Sequence, residues 1–247
     1  MDSGRALYGV PSRFVLVSRC FFCYDISESF ESWRTVMDFT TIDLSKWNRG
    51  KLFQFYIDKM RIVMSLTVDI DVTNLKTFSK EKNIDFYPLM LWVVSKVVNS
   101  HDEFKYSWDE DGHLIRWDYI SPSYADFHSE DENFTKMVTE YSDDLFEFYD
   151  RVIADRERHK NERAVLDNQP LNFFDVSCLP WVRYKHFDVH VFDEGKFLAP
   201  VITWGKYELD NDRLVMPLTM NIHHAVADGF HLSRFFNEVQ DLIDALQ

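Results

Sequence analysis

Two stretches of strict apolar–polar alternation lie near opposite ends of the chain. Met64, Leu66, Val68, Ile70 and Val72 alternate with Ser65, Thr67, Asp69 and Asp71. Leu214, Met216, Leu218, Met220 and Ile222 repeat the pattern near the C-terminus. A period of two sends alternate side chains to opposite sheet faces, so both runs read as half-buried strands. Pro217 falls inside the second run, where its missing N–H predicts an edge position or a local irregularity. Other segments carry helical spacing. Leu44-Ser45-Lys46-Trp47 opens a pattern that turns helical through Phe53 and Phe55. Thr73 is placed to cap a short helix ending near Glu81. Asp85-Phe86-Tyr87-Pro88 starts a strongly apolar helix over residues 85–98, with Pro88 tolerable in its first turn. Residues 143–162 form a long charged helix with Leu145, Phe146, Tyr149 and Val152 on one side, and Phe235, Val239, Leu242, Ile243 and Leu246 mark a final one.

Short strands fill the middle. Residues 104–108 and 114–117 flank Asp109-Glu110-Asp111-Gly112, and the Asp-Gly step predicts a hairpin. Further strands are expected near 123–128, 172–177, 187–192 and 198–204. Hairpins interleaved with helices predict an α+β class, a mixed β-sheet with helices packed on it. Residues 1–36 differ from the rest: they mix arginines, small polar residues and aromatics with no sustained period. We expect them to be an extension outside the catalytic fold, with Met37 opening a catalytic domain over 37–247.

Composition narrows the classes. Of 247 residues, 46% are hydrophobic, enough for a sizeable core in one large domain or two small ones. Only 7 Gly and 7 Pro occur, which argues against low complexity. The formal net charge of -14 repels phosphate backbones, so no nucleic-acid partner is expected. No apolar run reaches membrane-spanning length, and Phe14-Val15-Leu16-Val17 is too short and interrupted for a signal peptide. Cys20 and Cys23 have the spacing of a metal or redox pair, but only Cys178 remains, so a four-thiolate zinc site cannot form and incidental thiols are the reading. A cytoplasmic location without a membrane partner is expected.

The chemistry concentrates in Asn221-Ile222-His223-His224-Ala225-Val226-Ala227-Asp228-Gly229-Phe230-His231, between a strand and a helix. Imidazole moves protons near neutral pH, so a histidine at such a turn is a candidate general base. A base needs one ring nitrogen as acceptor and the other held by a partner. Asp228 is one such partner; its alternative role is to anchor the turn by pairing with an arginine. A metal site built from His223, His224, His231 and Asp228 is a rival reading. It is disfavoured because adjacent residues of a strand point to opposite faces, and no metal is expected.

These residues resemble the active-site signature of chloramphenicol acetyltransferases, Gln-x-His-His-(Ser/Ala)-x-x-Asp-Gly-(Phe/Tyr)-His, with Asn221 replacing the glutamine. Lys46-Trp47-Asn48-Arg49, Asp85-Phe86-Tyr87-Pro88, Ser177-Cys178-Leu179-Pro180-Trp181 and the segment from Pro200 to Tyr207 resemble further family motifs in order, from about Met37 onward. The resemblance implies a coenzyme A-dependent acyltransferase fold. It implies acetyl transfer from acetyl-CoA, a co-substrate and not a resident cofactor, to the primary hydroxyl of chloramphenicol. That transfer inactivates the antibiotic, and the resemblance extends to a homotrimer with active sites at subunit interfaces.

The resemblance also implies roles. His224 matches the general base, Ser177 the oxyanion donor and Thr203 a residue supporting the tetrahedral intermediate. Asp228 and Arg49 match a buried ion pair that holds the turn. Tyr56, Phe134, Phe187 and Val189 match acceptor-pocket positions, with Met60 and Met64 beside them, and Tyr207 matches a residue at the coenzyme A channel. Rival expectations are an acetyltransferase for another small alcohol and a non-catalytic xenobiotic-binding trimer. A third is the acyltransferase core of a 2-oxo-acid dehydrogenase complex, whose lipoyl and linker segments are not expected here.

Overall fold

A computed structural model describes residues 39–167, 169–189, 191, 193 and 195–246. The expected extension, with Cys20 and Cys23, lies outside these residues. The strands are β1 (Phe39–Thr41), β2 (Val63–Asp71), β3 (Tyr106–Trp108), β4 (Leu114–Trp117), β5 (Ser121–His128), β6 (Asn133–Val138), β7 (Phe173–Leu179), β8 (Val201–Gly205), β9 (Glu208–Asp210) and β10 (Arg213–His223). The helices are α1 (Gly50–Asp58), α2 (Thr73–Glu81), α3 (Phe86–Asn99), α4 (Leu145–His159) and α5 (Gly229–Asp244). The main sheet runs β2-β10-β8-β7-β5-β6, with β9 added to β10, and β1-β4-β3 form a separate small sheet. The mixed sheet with packed helices is the α+β class that the patterning predicts.

The two alternating runs pair with each other. β10 lies antiparallel to β2, with Thr219 opposite Thr67 and Asn221 opposite Ser65. Leu218, Met220 and Ile222 are fully buried on the core face. α5 packs against β2 and against α3, whose ten buried residues run round nearly its whole circumference, as expected of a helix inside a core. Thr219, Asn221 and His223 therefore project from the opposite face, away from the helices. That polar face includes the functional row described below.

Three local expectations change, and a fourth is decided between its two alternatives. Pro217 sits in a central strand, not at an edge. It pairs with Asp69 of β2, and on its other side it falls between the end of the β9 ladder and the start of the β8 ladder. The missing N–H thus occupies an irregular spot, the second of the two alternatives. Thr73 does not cap α2. The Asp71 carboxylate accepts the Thr73 N–H at 3.0 Å, since it reaches the first free donor from two residues upstream. The described residues of 187–191 form no strand, and Phe192 lies outside them. β7 and β8 are parallel neighbours, so residues 180–200 must cross a sheet face to join them. Their alternation comes from lying on that face, because both β7 and β8 already have partners on each side. Finally, β1, β6 and β9 occur where no strand was expected. β1 and β9 are three exposed residues each, and the alternation of β6 is broken by Lys136.

Candidate active site

β10 ends at His223, and five residues separate it from α5, which begins at Gly229. The turn between them is closed by backbone and caps. Asp228 is the N-cap of α5: its carboxylate accepts the Phe230 N–H at 3.0 Å, while His231 Nδ1 accepts the Asp228 N–H at 3.1 Å. Two orphan donors of the helix start are satisfied reciprocally, which stabilises the helix entry by about 1 kcal/mol or more. His231 thereby acquires a structural role that its place in the sequence motif does not reveal. At the other side of the turn, His224 N–H donates to Ile62 O at 2.8 Å.

The two adjacent histidines hold opposite tautomers. His224 Nδ1 lies 2.8 Å from the Ala227 carbonyl, which can only accept, so Nδ1 carries the proton and Nε2 keeps its lone pair. His223 Nδ1 instead accepts the Ala225 N–H at 3.1 Å, so its proton sits on Nε2, a buried atom with no partner. Burial pushes the His223 pKa down and keeps that ring neutral. Of the pair, His224 alone offers a free basic nitrogen in the half-buried part of the turn. Its ring stacks on Tyr56, centroids 4.1 Å apart and tilted by 32°. The partner that fixes the base is a backbone carbonyl and not Asp228, so the triad alternative fails on geometry.

Arg49 holds the turn from beneath. Its guanidinium donates to Ala225 O at 2.7 Å, His224 O at 2.9 Å, Ala227 O at 3.0 Å and Asp228 Oδ2 at 3.1 Å. The Ala227 carbonyl is thus gripped by Arg49 while it orients His224. The pair is less buried than the resemblance implies. The Arg49 side chain is 14% exposed and that of Asp228 38%. Burial opposes ionisation of Asp228, but the hydrogen bond and charge of Arg49 and the Phe230 N–H outweigh it and hold its pKa below the usual range. Gly50, the first residue of α1, sets Arg49 in place. A Cβ there would lie 2.0 Å from Leu44 O, so only glycine permits this approach.

Ser177 and Thr203 belong to a different region. Ser177 of β7 is opposite Thr203 of β8, which is opposite Thr219 of β10, which is opposite Thr67 of β2. Four hydroxyls form one row across the polar face. His224 follows Thr219 by five residues, roughly 15 Å of chain beyond the row. Ser177 lies two strands further across the sheet. Within one chain the proposed base and the proposed oxyanion donor do not meet.

The acceptor-pocket candidates divide in the same way. Tyr56 is at His224. Val189 lines a small cavity on the polar face, and Phe187 packs on Tyr184 on that side, ring centroids 5.7 Å apart. Phe134 is on edge strand β6, 45% exposed, four strands from β10. Met60 is exposed beside α1, and Met64 packs on the core. Tyr207 stacks on Phe86 at 5.3 Å, with Lys76 Nζ 5.7 Å from each ring.

Sequence reasoning missed one member of the row. The Tyr184 hydroxyl donates to Thr203 O at 2.7 Å and accepts from Thr219 Oγ1 at 3.1 Å, tying the crossover to the sheet. An aromatic in an irregular segment gave no signal of this. Cys178, next to Ser177, faces the core, where burial pushes its thiol up to about 12. It is therefore not a nucleophile at neutral pH.

Comparison with known proteins follows the same lines. The sequence pattern of the family described as chloramphenicol acetyltransferase matches residues 37–240. A chloramphenicol acetyltransferase of Clostridium butyricum is 38% identical over 213 residues, covering 85% of this chain and 97% of that protein. Chloramphenicol acetyltransferase 3 of Escherichia coli is 36% identical over 211 residues, covering 85% and 99%. A solved chloramphenicol acetyltransferase superposes with a TM-score of 0.75 at 24% identity, covering 83% of this chain and all of the other. The dihydrolipoamide acetyltransferase of Azotobacter vinelandii shares the fold with a TM-score of 0.61 at 18% identity, covering 79% and 87%.

Proposed function

Because this chain belongs to the chloramphenicol acetyltransferase family, we propose that it transfers the acetyl group of acetyl-CoA to the primary hydroxyl of chloramphenicol. The observation that carries the mechanism is the His224 tautomer. Ala227 O holds Nδ1–H, so Nε2 accepts the hydroxyl proton as the acceptor oxygen attacks the thioester carbonyl. The carbonyl π-electrons move onto oxygen, and Ser177 Oγ–H donates to that oxyanion. Thr203 supports the same intermediate. Collapse of the intermediate re-forms the carbonyl and breaks the carbon–sulfur bond. The departing thiolate takes the proton back from His224, releasing coenzyme A as the thiol and the acetyl ester of the drug. Both substrates are bound together, and no acyl-enzyme forms.

The in-chain separation of His224 from Ser177 supports assembly of each site from two copies. In this reading a homotrimer places His224 and Tyr56 of one copy against Ser177, Thr203, Phe134, Phe187 and Val189 of the next. Exposed Phe127, Phe134 and Trp181 beside the Ser177 row and exposed Phe55 and Met60 beside His224 are apolar surfaces that such contacts would cover. Tyr207 flanks the coenzyme A channel. Residues 37–247 are the catalytic unit and 1–36 lie outside it. The location is cytoplasmic, in keeping with the finding that among the described residues no helix is long and apolar enough to cross a membrane.

The test is release of coenzyme A thiol that depends on chloramphenicol. Wild type is expected to be active and His224→Ala to lose at least about 10²–10⁴-fold in kcat. Equal rates in both would overturn the mechanism, and no chloramphenicol-dependent release from wild type would overturn the substrate.

A further inference from the structure

The polar face of the sheet holds a cluster of buried polar atoms without partners. Both ends of the Asn221 amide, Ser65 Oγ, Thr203 Oγ1 and His223 Nε2 make no hydrogen bond. They are neighbours: Asn221 is directly opposite Ser65 on β2 and opposite Val201 on β8, with Thr203 and His223 two residues away along their strands. Asn221 is 1% exposed, His223 2% and Thr203 0%. Buried polar groups are nearly always satisfied, so several orphans side by side mark a place where a partner is brought from outside the chain. Asn221 and His223 line a cavity of about 30 Å³, closed on the other side by Val63, Val189, Val201, Gly195 and Phe197. The volume fits one oxygen-sized group. Its walls are mostly apolar, and its polar lining comprises Asp193, the Asn221 amide and the His223 ring, whose Nε2–H has no acceptor.

We propose that Asn221 is a specificity-determining residue of the acceptor site, receiving a hydroxyl or carbonyl oxygen at the end of the acceptor remote from the reacting hydroxyl. The proposal rests on the acetyltransfer reading above and deepens it. Asn221 sits about two strand positions beyond the Thr203 row and two strands from Ser177, roughly 12 Å away, the span of a drug-sized acceptor lying along the face. Val189 of the crossover closes the same cavity, so the apolar and polar contacts belong to one pocket. The amide carries a donor and an acceptor and His223 a donor, with the unpaired Ser65 hydroxyl directly opposite Asn221 on β2, so a hydroxyl or carbonyl oxygen finds complementary groups at Asn221. A methyl or halogen in the same place leaves every one of them unsatisfied.

The account makes two opposite demands on one substitution. Asn221→Leu is nearly isosteric and removes two unpaired polar atoms, so the free protein is expected to keep or raise its Tm. The same change removes the acceptor's partner, so KM for chloramphenicol is expected to rise about five- to tenfold with KM for acetyl-CoA unchanged. Ser65→Ala, which carries little folding risk, is expected to raise the chloramphenicol KM about threefold in the same sense. An unchanged acceptor KM in both variants overturns the proposal. So does a fall in Tm for Asn221→Leu, which would show that the amide has a partner within the protein or its assembly. Failure of the substrate reading is recognised separately, because wild type itself would then show no chloramphenicol-dependent thiol release.

Discussion

The turn that bears His224 and the row that bears Ser177 are built on opposite plans. The turn is complete within one chain. Every polar atom that orients His224 has a partner: Ala227 O holds the ring, Ile62 O takes the backbone N–H, and Arg49 binds three carbonyls of the turn together with Asp228. The polar face around the row is unfinished. Thr67, Thr219 and Tyr184 bond one another, but Thr203 Oγ1 in the row and Ser65 Oγ, the Asn221 amide and His223 Nε2 beside it are buried and unpaired. In the proposed mechanism the general base must hold one tautomer before any substrate arrives, which is what saturated surroundings provide. Groups that meet substrate must keep free valences, and the fold carries that cost, about 1–3 kcal/mol for each unsatisfied group, on one face of one sheet.

The comparison can be broken at either end. With His224 left in place, the largest effect is expected at the row that bears Ser177. Ser177→Ala removes the donor to the developing oxyanion, so kcat is expected to fall about 10²–10³-fold with Tm unchanged; a fall in Tm without a fall in kcat would make Ser177 structural.

At the complete turn the expected signature is the reverse. Arg49→Ala breaks four hydrogen bonds of a cation that is mostly buried, a cost on the order of 3 kcal/mol. Thermal unfolding should show a Tm fall of about 6–12 °C. Asp228→Asn leaves the three carbonyl contacts in place. Because Asp228 is over a third exposed, that change should cost about 1 kcal/mol or less. Equal losses for the two variants would restore the ion pair as the main anchor.

The smallest effect concerns His223. Its folded pKa lies below its unfolded value because burial disfavours the charged ring. As pH falls below about 6.5 the unfolded chain takes up a proton that the fold resists, so stability declines from there down to the folded pKa. The contribution cannot exceed about 1.4 kcal/mol per pH unit. His223→Asn keeps an acceptor for the Ala225 N–H and removes the titration. Tm measured against pH should therefore fall less steeply for the variant than for wild type between about pH 6.5 and 5, and parallel curves would rule out this titration.

What was legible in the sequence follows the same division. β2, β10, α3 and α5 declare themselves because one face of each is buried, and burial imposes a period. β1, β6 and β9 carry no such period, and the alternation near 187–192 belongs to a crossover lying on the sheet and not to a strand, since these conformations are set by where neighbouring elements leave room. In the site, His224 and Asp228 were candidates from motif spacing, Arg49 was named through the family resemblance, and the structure brings the three together. The holder of the His224 ring was not legible, because it is the carbonyl of Ala227, an atom that every residue type possesses. The capping role of His231 needs the helix to start at Gly229. The orphan cluster needs strand register: Ser65 and Asn221 are 156 positions apart in sequence and directly opposite in the sheet.

The central claim is that the base of one copy works with the oxyanion donor of another, and complementation tests it most directly. His224→Ala and Ser177→Ala are each expected to be nearly inactive. Co-expressed and co-assembled, they form interfaces in which an intact His224 of one copy meets an intact Ser177 of its neighbour, in about a quarter of the sites for random closed rings. Chloramphenicol-dependent thiol release should then return to roughly that fraction of wild type. Mixed assemblies no more active than their inactive parents would contradict the account.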